Sequence, residues 1–216
     1  MARLLTLEDG IVLTRFARQT IEHFILYNQK ATFPKSPSEA LTEHRGVFVT
    51  LKKRHPRNDQ KWELRGCIGH LQPGPDSHHQ SISLLEATRQ AALSSALEDP
   101  RFPPVRADEL ESILVETSVL TLPQEILTTD RAKLSNQITI GTDGLIVQGR
   151  GWHRGLLLPQ VAPEQGWNAE EFLQGCCQKA GLPPSCYLDP GVKILKFQAQ
   201  IFAESVPNGE IRAREF

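Results

Sequence analysis

Long apolar runs are missing from this 216-residue chain. None approaches the about 20 residues that a membrane-spanning helix needs, which excludes a helical membrane protein. The first residues carry no apolar signal-peptide core, so a cytoplasmic location is expected. An excess of one charge is missing as well. Lys and Arg number 24 against 25 Asp and Glu, and the net charge of −1 gives no long-range pull on a nucleic acid or an anionic membrane. The one basic cluster, Lys52–Arg57, is too short to change that. Cysteine is scarce. Four residues, two of them adjacent (Cys176 and Cys177), make no disulfide framework in a chain this long, and free thiols are expected.

Cofactor signatures are also absent. There is no P-loop, and no GxGxxG between a strand and a helix; Gly149-Arg150-Gly151 lacks that setting and reads as a loop. No cofactor is therefore expected. Cys67-x-x-His70 with His78 or His79 would suit zinc or copper by donor type, but the spacing fits no zinc module and no metal is assigned. The composition, 39% hydrophobic and 23% charged, is that of a soluble chain able to bury a sizeable core.

What is present is a mixture of helical and strand periodicity without strict alternation, which gives an α+β class: antiparallel or mixed β-sheet packed with helices. Thr6 and Asp9 stand in capping-box spacing before a helix running to about Asn28, with Leu13, Phe16, Ala17, Thr20, Ile21 and Phe24 as its apolar stripe. Gly46–Lys53 alternates as a strand, followed by a long polar hairpin tip, Arg54–Lys61, and a second strand, Trp62–Ile68. Prolines and a glycine make a turn of Gln72–Ser77. Ser83 with Glu86 opens a helix that Asp99-Pro100 stops. Ile113–Leu120 is a strand. From Gln137 to Leu158 the pattern is all strand, with Ile138 and Ile140 facing Leu145 and Val147 across the turn Thr142-Asp143-Gly144. Asn168 with Glu171 opens a helix that buries Phe172, Leu173 and Cys176 and leaves through Gly181. A single last strand, Val192–Glu204, precedes a loose polar tail over residues 205–216.

The stretch with chemistry in it is Leu64–Gly69, L-R-G-C-I-G. Strand alternation sets Trp62, Leu64 and Ile68 on one face and Glu63, Arg65 and Cys67 on the other. A thiol between Gly66 and Gly69, beside the Arg65 guanidinium, is where a reactive cysteine can be built, because a positive neighbour favours the thiolate. Its bland counterpart is a small buried side chain where two backbones pack closely. In the enzymatic reading Cys67 is nucleophile or redox thiol and Arg65 its stabiliser or anion clamp. His70 is the nearest base, with His78 and His79 as further candidates. Leu64, Gly66, Ile68, Gly69 and Arg101 form the cleft.

The same motif carries a resemblance. L-R-G-C-I-G, G-V-F-V-T-L at Gly46–Leu51, D-P-R-F at Asp99–Phe102 and S-V-L at Ser118–Leu120 follow the order of one family. So do D-G-L-I-V at Asp143–Val147, G-L-L-L-P-Q-V at Gly155–Val161 and F-L-x-x-C-C-x-K-A-G-L at Phe172–Leu182. The chain resembles the AMME-syndrome chromosomal-region (AMMECR) family, whose bacterial members are called AmmeMemoRadiSam system protein A. The resemblance covers about residues 7–204. It implies one AMMECR-type domain over residues 1–216, with an α+β fold of two unequal lobes in one compact unit. It also implies Memo-like and radical-SAM proteins as partners in a shared pathway. Two functions follow: a cysteine-dependent enzyme or enzyme partner acting at the L-R-G-C-I-G cleft, or a non-catalytic adaptor that recognises a partner or small molecule there.

Overall fold

The computed structural model describes residues 4–35, 37–55, 58–70 and 81–214. The turn expected at Gln72–Ser77, and His78 and His79, lie outside them. The elements are α1 (Leu7–Tyr27), α2 (Glu39–Thr42), β1 (Val47–His55), β2 (Asn58–His70), α3 (Leu84–Leu97), β3 (Ile113–Leu120), β4 (Gln124–Glu125), β5 (Gly144–Gln148), β6 (Arg154–Leu157), α4 (Val161–Gln165), α5 (Ala169–Lys179), β7 (Lys193–Phe197), β8 (Ala199–Glu204) and β9 (Ile211–Arg214). The α+β class is as expected. The chain divides into two compact units, Met1–Val119 with Gln200–Glu215, and Leu120–Ala199.

The first unit is a five-stranded sheet in the order β2-β1-β3-β8-β9, with β1–β2, β1–β3 and β8–β9 antiparallel. Val47, Val49 and Leu51 of β1 share one core with Leu13, Phe16 and Ala17 of α1 and Ala92 and Ala96 of α3. One face of the sheet is thus covered by helices. Thr6 and Asp9 form the expected capping box on α1, and Ser83 Oγ accepts from Glu86 N–H on α3. Each such cap satisfies amides that the first helical turn leaves unpaired.

The second unit is a four-stranded sheet in the order β4-β7-β5-β6. Phe172, Leu173 and Cys176 of α5 join Leu145, Val147 and Ile194 in its core. Gly155 matters here. A Cβ there would lie 2.5 Å from Ala180 N, so only glycine lets β6 run against the last turn of α5. Gly181 leaves that helix at φ +71°, the left-handed exit that glycine adopts without penalty.

Five expectations are corrected. The hairpin tip is not long: pairing continues to Arg54–Trp62 and His55–Asn58, because polar side chains do not prevent the ladder from extending into solvent. Ile138 and Ile140 are not in a strand. Thr139 O accepts from Thr142 and Asp143 N–H while Asp143 Oδ2 takes Thr139 N–H, a closed turn that leaves β5 to pair with β6 and β7. Val192–Glu204 is two strands in two sheets, broken at Gln198, whose N–H and C=O both bond Thr121. The tail is not loose throughout, because Ile211–Arg214 adds β9 to the edge of the first sheet, with Ile211 buried. The free-thiol expectation also fails for two residues. Cys177 and Cys186 form a disulfide with Cα atoms 6.0 Å apart, nine residues apart in sequence. The exit at Gly181 and the turn at Pro183 fold the chain back onto α5, and no local pattern announces that return.

Candidate functional site

Strand β2 is an edge strand, and Cys67 lies near its end, opposite Thr50 of β1. The register decides what surrounds the thiol. Leu51 faces Gly66, yet Lys52 faces Leu64, so Arg65 is an extra residue, a β-bulge in β2. The bulge breaks the expected alternation. Cys67 and Leu64 share the face of Thr50 and Lys52, whereas Gly66, Ile68 and His70 share the helix-covered face of Leu51, Val49 and Val47.

Arg65 and Cys67 therefore do not stand together as expected. The Arg65 side chain is buried and makes a two-pronged ion pair with Glu109, Nε–Oε1 3.1 Å and Nη2–Oε2 2.9 Å. It also donates to Pro103 O at 2.9 Å and Pro104 O at 3.4 Å. Lys53 Nζ, on the helix-covered side, reaches the same Glu109 at 3.1 Å. Arg65 is a clamp on the segment after α3. Its geometry holds the Glu109 carboxyl down to about 2, chiefly through these hydrogen bonds working against burial. His70 also faces away from the thiol, on the side of Glu86, and burial lowers its pKa.

The groups that do meet Cys67 come from elsewhere. Thr50 Oγ1 donates to its sulfur at 3.3 Å. Asp99 Oδ2 accepts its backbone N–H at 2.9 Å, and Arg101 Nη2 donates to its carbonyl at 3.2 Å. Asp99 and Arg101 are themselves paired at 2.7 Å, the carboxylate buried and the guanidinium half-exposed. Arg101's hydrogen bonds hold Asp99 well below the usual carboxylate range. The pair grips the open edge of β2 as a further strand would. Just beside it, Ser95 Oγ of α3 donates to Val49 O at 2.7 Å and accepts from Ile68 N–H at 2.8 Å, so a hydroxyl is inserted between β1 and β2. Gly66 permits this: a Cβ there would lie 2.1 Å from Ser95 O. Gly69 plays the corresponding part against the Phe48 ring, at 2.3 Å.

The thiol itself is only partly accessible, and burial raises its pKa above the ordinary value; Thr50 and Arg101 oppose that rise and Glu116 and Asp99 add to it. The expected depression is therefore corrected. Arg65 is turned away, and desolvation of a thiolate outweighs the Thr50 hydroxyl and the Arg101 guanidinium. Cys176 is fully buried and pushed up to about 12, as its place in the helix core implied. Among the described residues no His, Cys, Asp or Glu cluster could hold a metal ion. Sequence reasoning missed Thr50, Ser95, Asp99 and Glu109. Thr50 and Asp99 lie inside the G-V-F-V-T-L and D-P-R-F segments, which gave a signal; Ser95 and Glu109 gave none.

The family model AMMECR1 matches residues 14–202 of the chain. The chain belongs to the AMMECR1 family. Among AMMECR1 relatives, a protein of Methanothermobacter thermautotrophicus is 46% identical over 200 residues, covering 93% of this chain and 96% of that one. Protein MJ0810 of Methanocaldococcus jannaschii is 47% identical over 209 residues, covering 97% and 96%. The crystal structure of protein PH0010 from Pyrococcus horikoshii superposes with a TM-score of 0.85 at 45% identity, covering 97% of this chain and 98% of that one. These AMMECR1 relatives establish family and fold, and the chemistry has to be argued from the site. The AMMECR1 match spans Thr50, Cys67, Asp99 and Arg101; β9 lies beyond it.

Proposed function

We propose that this chain is a recognition module that binds a partner or small molecule without forming covalent bonds, using the surface of β2 around L-R-G-C-I-G. The observation that carries the reading is the bulge at Arg65. It sends the guanidinium to Glu109, and strand alternation sends His70 to the other face, so the thiol has neither of the two groups its motif offers for activation. A half-buried neutral thiol bonded to Thr50 is a packing and contact group. Leu64, on the same face and exposed, and Arg101, half-exposed at the strand edge, supply the apolar and cationic contacts a partner needs. The partner class, Memo-like and radical-SAM proteins of a shared pathway, comes from the family resemblance. No helix among the described residues is long and apolar enough to cross a membrane.

The test is calorimetric titration of the whole protein with a Memo-like and a radical-SAM protein of the same genome. Leu64→Glu and Arg101→Glu should weaken the complex, and Cys67→Ser should leave it unchanged. Absence of a complex with either protein would remove the protein-partner half of the reading; a covalent adduct on Cys67 formed during turnover would overturn the reading and restore the cysteine-enzyme alternative.

A further inference from the structure

On the face of the first unit's sheet opposite the helices, one polar row crosses the strands. Thr50 is the cross-strand partner of both Cys67 on β2 and Glu116 on β3, so the three side chains stand in line. Glu116 is buried at 2% exposure, and a single oxygen of it, Oε2, accepts from Lys52 Nζ at 3.0 Å and from Arg214 Nη1 at 3.1 Å. Lys52 follows Thr50 by two residues and shares its face; Arg214 arrives from β9. One cation neutralises a buried carboxylate, and here there are two. The Asp99–Arg101 pair beyond Cys67 is balanced, so among the described residues the row keeps one positive charge in excess. Both surplus donors reach solvent, with side chains 21% and 46% exposed.

We infer that this row is a binding site for a small oxyanion, the carboxylate or phosphate group of a metabolite-sized ligand. Lys52 and Arg214 hold the anionic end, and the ligand body runs over Thr50 toward Cys67. Arg214 offers a planar fork and Lys52 a point charge, a combination suited to an oxyanion of either kind. Glu116 is then the resident anion that keeps the two cations in place when the site is empty, and it competes with the ligand for them. This inference rests on the recognition reading and gives that surface a ligand class.

The competition provides a test with a sign. Inorganic phosphate and acetate are titrated into the full chain at constant ionic strength, read by calorimetry and by protection of Cys67 from iodoacetamide. Either anion should bind saturably and slow alkylation; tighter phosphate marks a phosphorylated ligand, tighter acetate a carboxylate. Lys52→Met and Arg214→Met should each weaken binding about tenfold, the size of one charge-assisted hydrogen bond, while Lys52→Arg retains it. Glu116→Gln should strengthen binding, which a merely structural ion cluster would not do. Melting curves confirm that each variant is folded, and Lys52→Arg carries the test if Glu116→Gln is not. A response that follows ionic strength alone, or equal affinity in parent and Lys52→Met, overturns the site. Such a failure with the Leu64- and Arg101-dependent protein complex intact sinks the anion site alone. Anion binding without that complex sinks the protein-partner reading alone.

Discussion

At the scale of single residues, the site is governed by where one guanidinium points. With Arg65 committed to Glu109, burial dominates at Cys67 and its thiol titrates above the ordinary 9.0. Site-resolved alkylation against pH should therefore give a Cys67 midpoint above 9, with Cys176 unlabelled until the protein unfolds. A Cys67 midpoint near neutrality would show a source of positive charge at the thiol other than Arg65. Gly66 is the second decisive residue. Any side chain there meets the Ser95 carbonyl, a backbone atom that cannot swing aside. Gly66→Val should lower stability by about 1–3 kcal/mol or more, the usual range for overpacking, as read in a urea melt. A melt coincident with the parent's would mean that α3 is free to move away from β2.

At the scale of elements, the segment after α3 is held to β2 by Arg65–Glu109 and by the hydrogen bonds of Asp99 and Arg101 to the Cys67 backbone. Glu109 titrates at about 2 in the folded protein against an ordinary 4.5. A carboxyl depressed by folding stabilises the native state while it is ionised. Its contribution is complete above about pH 4.5 and disappears as pH falls toward 2. Melting temperature should accordingly fall across that window, and Glu109→Gln should be less stable than the parent at pH 7 with a shallower acid limb. Identical acid limbs would assign the loss to other carboxylates. The same elements show what was legible in sequence. The caps at Thr6 and Ser83, the stripe of α1 and the alternation of β1 were all readable, because each depends on residues within a few positions of one another. The bulge in β2 was not. It is a property of two strands in register, and no feature of L-R-G-C-I-G by itself shifts the alternation.

At the scale of the molecule, the two units have separate cores and different devices for holding them. The first buries the Arg18–Glu204 pair, with Glu204 Oε2 also accepting Val115 N–H, tying α1, β3 and β8 together. The second uses the Cys177–Cys186 bridge between α5 and the turn that follows it. Replacing both cysteines by alanine should cost the second unit about 2–3 kcal/mol, the loop-closure value for a ring of this length. The loss should appear in hydrogen exchange of α5 and β5, while the amides of α1 and β1 stay unchanged. Equal protection in both units would mean that the bridge adds nothing to a core already closed.

Sequence alone determined the family, the α+β class, the caps and core stripes, and the strand that carries Cys67. Each is local, or is written in the order of short motifs. Tertiary structure decided the chemistry of the site. The thiol's neighbours are Thr50 from the next strand and Asp99 and Arg101 from beyond α3, and the Lys52–Glu116–Arg214 cluster joins residues up to 162 positions apart in a 216-residue chain. Pairing across a sheet imposes those juxtapositions. Strand order and register, the two things that a linear reading of a single chain leaves open, set which charges meet.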